Sequence, residues 1–247
     1  MARPKQPETQ NWDAATVVEE LRRLGTRENV EGMARFGIVA ADVFGVSKPK
    51  LDGIAKKIDR NHELGLSLWA TGNHDAKILA GMLCEPNQVT AGQMESWVRD
   101  FDNWDTCDGR CCHLFVFAPT VWAKAVSWTR RTEEFQKRAG FALAAYLAYR
   151  DKTAPDGKFR EFLKIIEREA DDDRNFVRKA VNWALRNIGK RNLRLNAAAI
   201  ATGERLRKRT SRAARWIAAD ALRELRSEAV QSRLRKKERA GDGKRKQ

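Results

Sequence analysis

The sequence predicts an all-α protein, an α-solenoid built from antiparallel helix pairs stacked side by side. Three observations carry this. Almost every periodic stretch follows the 3.6-residue repeat of an amphipathic helix, and the stretches run roughly 10 to 20 residues between brief turns rich in Gly, Pro, Asn or Asp. No alternating strand pattern of useful length interrupts them. The 247 residues, 42% of them hydrophobic, suffice for one large core or for an array that grows by stacking.

The elements follow in order. Asp13 caps a helix whose stripe is Val17, Leu21 and Leu24. Thr90 and Gln93 form a capping-box signal ahead of Met94, Trp97, Val98 and Phe101, whose spacing places Trp97 in the core. The run Leu114 to Phe117, beside Pro119, is open between strand, buried helix and loop. Asp156-Gly157 introduces the stripe Phe159, Phe162, Leu163 and Ile166. In the helix from about Asp173 to Arg191, Val177, Val181, Ala184, Leu185 and Ile188 form the core stripe, with small residues that suit the close-packed second helix of a HEAT-type repeat. Exact self-similarity is absent. The expected organisation is a flexible N-terminus over 1–12, a single solenoid domain over 13–235 and a basic disordered tail over 236–247.

The net charge of +15 and a pI of about 10 favour a polyanionic partner, with nucleic acid first. Sixteen Lys or Arg against six Asp or Glu lie from Gly203 onward, so most of the excess charge sits in the last 45 residues. A solubilising end accounts for this, but phosphate contact is favoured, because each phosphate neutralised releases counterions whatever the base sequence. No apolar run, Ala139 to Tyr149 included, is long enough to span a bilayer, and no leader is evident. A cytoplasmic, nucleoid-associated monomer is expected.

Cys84, Cys107, Cys111 and Cys112, with His113, suggest a metal cluster at first sight. Adjacent ligands suit a tetrahedral ion poorly and no second Cys/His pair lies at zinc-finger spacing, so reduced thiols and no metal or other cofactor are expected. His62 and His74 have no Ser or Cys partner at a recognisable spacing. With no glycine-rich phosphate loop and no serine elbow, triphosphate chemistry and acyl transfer are set aside.

The chemistry falls elsewhere. If Asp102 or Asn103 caps a helix, Trp104 and Asp108 share one face four residues apart. Asp105 is explained as a first-turn dipole complement, whereas Asp108 lies beyond that turn and is the carboxylate that needs a function. Trp183 lies off its helix's core stripe, in a row with Phe176, Lys179, Arg186 and Lys190. Either it fills a helix junction, or it is an aromatic surface for a sugar or base, with cations gripping flanking phosphates. Arg138, among Phe135, Phe141 and Ala142, is at least half buried and wants an anion: Asp105, Asp108 or a DNA phosphate.

Phe44-Gly45-Val46 with Pro49, Leu68-Trp69, Asn103-Trp104-Asp105 with Asp108, Arg138-Ala139, and Phe176-Val177 with Lys179, Trp183 and Arg186 together resemble the AlkD family of DNA alkylation repair glycosylases, from about Met33 to Lys190. The resemblance implies a curved array of HEAT-like helix pairs with a concave basic surface. It implies that Trp104 and Trp183 pack against the lesion's deoxyribose, that Asp108 is the catalytic carboxylate, and that Arg138 faces DNA. Phe36 stands where the family has a tyrosine, and with Lys48, Lys179, Arg186 and Lys190 completes the expected DNA-contacting set. Asn103 replaces a residue that is often aromatic, and Cys111-Cys112-His113 departs from the family pattern.

The implied reaction hydrolyses the N-glycosidic bond of cationic N3- or N7-alkylated purines in duplex DNA without flipping the base, leaving an abasic site. The alkylated base is already a good leaving group, so a single carboxylate suffices to stabilise the oxocarbenium-like sugar and position water. A non-catalytic helical-repeat protein that binds distorted or branched DNA is the alternative.

Overall fold

The computed structural model describes residues 12–245, with side chains through residue 240. All regular structure among them is helical, with no strand, and no helix is long and apolar enough to cross a membrane. The expected flexible N-terminus lies almost wholly outside the described residues. The chain packs as two compact units, one up to Gln88 and one from Val89, a division that no shift in composition marks.

The first unit holds α1 (Ala14–Leu24), α2 (Arg27–Arg35), α3 (Lys48–Ile58), α4 (His62–Ala70) and α5 (His74–Leu83). Asp13 caps α1 by accepting from the Thr16 amide at 2.8 Å, and Val17 and Leu21 are fully buried, as their spacing requires. The Phe44-Gly45-Val46 motif acquires a structural meaning here. Buried Asp75, in the first turn of α5, accepts from the amides of Phe44 at 2.7 Å, Gly45 at 3.1 Å and Val46 at 2.8 Å. Gly45 is obligatory: its φ is +78°, and a Cβ would stand 2.5 Å from the Thr26 carbonyl oxygen.

The second unit comprises α6 (Ala91–Arg99), α7 (Trp104–His113), α8 (Val121–Trp128), α9 (Glu134–Arg150), α10 (Asp156–Glu169), α11 (Asn175–Gly189), α12 (Leu193–Arg207), α13 (Arg212–Leu225) and α14 (Glu228–Arg245). Its helices form two layers. In one, α7, α9, α11 and α13 touch in succession; in the other, α10, α12 and α14 do, while chain neighbours such as α8 and α9 or α12 and α13 join the layers. A repeat that the residue types do not display is visible in the hydrogen bonds. Arg138 to Phe176, Asn182 to Asp220, Arg186 to Glu224 and Arg205 to Glu167 all span 38 residues, close to the period of HEAT-type helix pairs.

Helix α9 is the central member, buried along nearly its whole length from Gln136 to Ala148. Its approach to α8 is permitted by Gly140, where a Cβ would lie 2.6 Å from the Thr129 amide nitrogen and 2.9 Å from the Ala125 carbonyl oxygen. Trp97 is 3% exposed, as its spacing predicts. The undecided run after α7 is a 3-10 turn, Phe115–Phe117, whose Phe115 ring packs 6.2 Å from Trp97, 6.3 Å from Phe101 and 6.0 Å from Trp128.

The segment expected as a disordered basic tail, 236–247, is described through residue 245 as the end of α14. Helix α14 continues to Arg245, with Val230 and Leu234 buried as anchors; beyond them Arg235 to Ala240 are strong helix formers, whereas Gly241, Asp242 and Gly243 are not. Lys246 and Gln247 lie outside the described residues.

One ion cluster in this unit sets a pH limit. Glu95 on α6 accepts from Lys124 at 2.7 Å and Trp128 at 2.9 Å and pairs with Arg131. Burial raises its carboxyl, but these three donors outweigh it and hold the group at about 2, below its ordinary 4.5. Because the folded value is the lower one, the stabilisation is complete above pH 4.5 and is lost as pH falls toward 2. Glu95→Gln is therefore expected to flatten the acid limb of the stability profile in that window, measured by urea denaturation at stepped pH. Gly140→Ala is expected to cost about 1–3 kcal/mol by the same measurement, because the atoms it meets are backbone.

Candidate active site

The site is built across three consecutive members of one layer, α7, α9 and α11. Asn103 caps α7: its side-chain oxygen accepts from the amides of Asp105 at 3.0 Å and Thr106 at 3.1 Å, and the residue is buried. The asparagine thus has a local role, since capping needs a short polar side chain. The cap starts the helix at Trp104, so Trp104 and Asp108 stand four residues apart along it, both partly exposed. Asp105 lies in the first turn, as the dipole reading requires.

Among the protein's own carboxylates, Arg138 pairs with Asp108. The guanidinium grips the carboxylate bidentately, Nε to Oδ1 at 2.9 Å and Nη2 to Oδ2 at 2.6 Å. Nη1 donates to the Phe176 carbonyl oxygen on α11 at 2.8 Å, and the guanidinium lies 6.0 Å from the Phe176 ring. Phe135 backs that ring at 5.1 Å. The Arg138 side chain is only 9% exposed and that of Asp108 17%, so Arg138 is tied to protein groups on two sides. Burial pushes the Asp108 carboxyl above its ordinary value, against the opposing pull of Arg138. Without that guanidinium, ionising it here would be costlier still.

Trp183 is partly exposed on α11, while Val177, Val181, Ala184, Leu185 and Ile188 are fully buried, so the predicted separation of ring from core stripe holds. Tyr146 on α9 meets the Trp183 ring edge-on at 4.8 Å and 82°. Burial first, then the Asp108 charge and the Cys112 thiol, pushes the Tyr146 hydroxyl well above its ordinary value. Tyr146 therefore bridges the Trp183 wall and the Asp108 field, and sequence reasoning missed it. The available signal was its place two turns after Arg138 on the same helix.

The expected DNA-contacting residues are not brought to one state. Lys179 is exposed, with no ion-pair partner among the described residues. Arg186 and Lys190 both bind Glu224 on α13, at 2.7 Å and 2.8 Å, so the basic row beside Trp183 is largely neutralised by the next repeat. Lys48 pairs with Asp52 at the start of α3, and Phe36, 75% exposed, ends α2; both belong to the first unit.

Cys107 and Cys111 are buried packing groups, whereas Cys112 is partly exposed. The Cys107 and Cys111 thiols face the α9 carbonyls of Phe135 at 3.5 Å and Ala139 at 3.7 Å, and burial pushes the Cys107 thiol up, away from reactivity. Cys112 lies 3.4 Å from Nη2 of Arg150.

A family model described as "DNA alkylation repair enzyme" matches residues 17–225. No curated protein matches the sequence. Among solved structures, the fold is similar to that of a protein described as one of a new family related to the HEAT-like repeat DNA glycosylases, with affinity for branched DNA structures. The TM-score is 0.73 over 90% of this chain and 96% of that one, at 22% identity. The all-helical, HEAT-like architecture is thus that of a known fold.

The geometry makes one stability prediction. Arg138→Met leaves a buried carboxylate unpaired and is expected to cost about 3–5 kcal/mol in urea denaturation. Adding Asp108→Asn should restore much of the stability, since the orphaned charge is then gone.

Proposed function

The chain belongs to the DNA alkylation repair enzyme family, and we propose that it is a monofunctional DNA glycosylase that releases cationic N3- or N7-alkylated purines from duplex DNA. The observation that carries this is Asp108: an acid kept in a nearly dry layer by one guanidinium, four residues from Trp104 and coupled through Tyr146 to Trp183.

In the proposed reaction the base leaves as a neutral purine, because alkylation has already made it cationic. The deoxyribose takes on positive charge as the glycosidic bond lengthens. Asp108 faces that charge, and the tryptophan faces offer their negative quadrupoles to it. Arg138 uses two N–H groups on Asp108 and leaves the carboxylate further lone pairs, enough to accept from a water directed at the anomeric carbon. Arg138 is then a positioning residue more than a phosphate contact. Lys179 keeps the phosphate-binding role, whereas Arg186 and Lys190 would have to leave Glu224 to share it.

A second reading has a specific observation behind it. A non-catalytic DNA binder needs no exposed acid, but it can use a buried one to knit its helices, and the Asp108–Arg138–Phe176 linkage does that. The structurally similar protein with branched-DNA affinity points the same way.

Base release from duplex DNA treated with a methylating agent separates the two. Asp108→Asn is expected to slow release about 10² to 10³-fold while retaining DNA affinity. Trp183→Ala is expected to lower the single-turnover rate more than binding. Absence of any release by the wild-type chain, with tight binding to a four-way junction, would establish the binder instead.

A further inference from the structure

A cleft of about 1220 Å³, whose lining does not include Asp108, opens among the ends of α9 and α11, the starts of α10 and α12, and one face of α14. Its lining carries seven Lys or Arg and one carboxylate, Asp156. Three of the cations are already engaged. Lys190 binds Glu224, Arg194 lies 3.4 Å from Asp156, and Arg191 donates to the Ala148 and Ala154 carbonyls at 3.2 Å and 2.9 Å.

The other four lack a carboxylate partner among the described residues. They are Lys152, whose ammonium donates only to the Tyr149 carbonyl, Arg160 on α10, and Arg233 and Lys237, one helical turn apart on α14. They crowd one another: burial and the charges of Lys152, Arg233 and Arg191 hold the Lys237 ammonium below its ordinary value. Unpaired cations gathered around a cavity are stabilised by an anion that enters it.

The shape selects among anions. The volume exceeds the roughly 300–1000 Å³ that encloses one compact ligand, and the free cations come from three separate elements, which suits phosphates spaced along a chain. Tyr149 adds an aromatic surface on the cleft wall, 66% exposed, with the Lys152 ammonium 4.9 Å from its ring centroid. A ring beside cations stacks an unpaired base while its phosphates are neutralised. We propose that this cleft is a second DNA site, which binds a single-stranded segment through its phosphates and acts independently of Asp108. Lys190 lies two turns beyond Trp183 on α11, about 10 Å along the helix, so a strand leaving the first site has a short path to the second.

The test uses the full chain and a fluorescein-labelled single-stranded oligothymidylate, with anisotropy read across a salt series. Lys152→Ala/Arg233→Ala/Lys237→Ala is expected to raise Kd about ten-fold or more at low salt, and to reduce the slope of log K against log salt by about 0.7 for each phosphate no longer neutralised. Tyr149→Ala is expected to weaken binding about ten-fold with the slope unchanged. Arg160→Ala, at an exposed position, is measured alongside and should lower the slope even if the triple variant folds poorly. Unchanged affinity and slope in natively melting triple and Arg160 variants would overturn the proposal. So would loss of inorganic tripolyphosphate binding in those variants while strand binding persists, which makes the cleft a free-anion site. Base release is read on the same variants, so failure of the cleft and failure of the glycosylase reading remain separate results.

Discussion

The Arg138 guanidinium is shared by three helices, and the arrangement of the candidate site depends on it. Burying an arginine is expensive unless its donors are met in its own plane. Here two go to Asp108 on α7 and one to the Phe176 carbonyl on α11, with α9 supplying the arginine itself. Such a planar fork has little freedom, so the carboxylate edge, the Phe176 backbone and hence the α11 register are fixed together. The requirement passes outward along α9. Arg138 reaches both neighbours only because α9 is held deep in the unit, and it is held there partly because Gly140 lets α8 approach.

That interaction constrains the chemistry as much as the packing. An ion pair has no net charge, and its field falls off faster with distance than that of a lone carboxylate. Asp108 can stabilise a cationic sugar only if the sugar comes against the carboxylate edge, closer to it than to the guanidinium behind. In the proposed reaction, contact geometry would then govern rate more than long-range attraction. The raised Asp108 value and the bidentate arginine are two sides of one compromise: burial pushes the carboxyl up, and Arg138 pulls it back toward the ionised form.

What was legible in the sequence was what a single helix determines. The stripes of α6, α10 and α11, the exclusion of Trp183 from its stripe, the caps at Asp13 and Thr90 and the i,i+4 relation of Trp104 to Asp108 all depend on local periodicity. Partners supplied by the next repeat were not legible. Glu224 lies 38 residues from Arg186 and 34 from Lys190, Asp75 lies about 30 from the amides it gathers, and Tyr146 becomes part of the site only through α11 and α7. The 38-residue period itself escaped detection because the recurring feature is a contact between successive helices of one layer, met by Arg to carbonyl in one repeat, Asn to Asp in another and Arg to Glu in a third. The cysteine run suggested a metal only at first sight and was set aside on ligand geometry; the placement of its thiols was not legible, since the helix sends Cys107 and Cys111 onto α9 and leaves Cys112 on another face.

The distribution of compensated charge also bears on how a polyanion would be held. Along α11, Arg186 and Lys190 meet Asp220 and Glu224 of α13, so their attraction for phosphate is satisfied internally, and Lys179 is the member of the row left exposed. Past Lys190 the balance reverses, because α14 adds Arg233 and Lys237 to Lys152 and Arg160 without adding a described acid to the cleft lining. A strand following α11 would therefore pass from a nearly neutral, aromatic stretch into a strongly positive one. Under the proposed reaction that ordering would suit release of product: the sugar would be gripped by shape, and the salt-sensitive affinity would be carried at a distance from the chemistry.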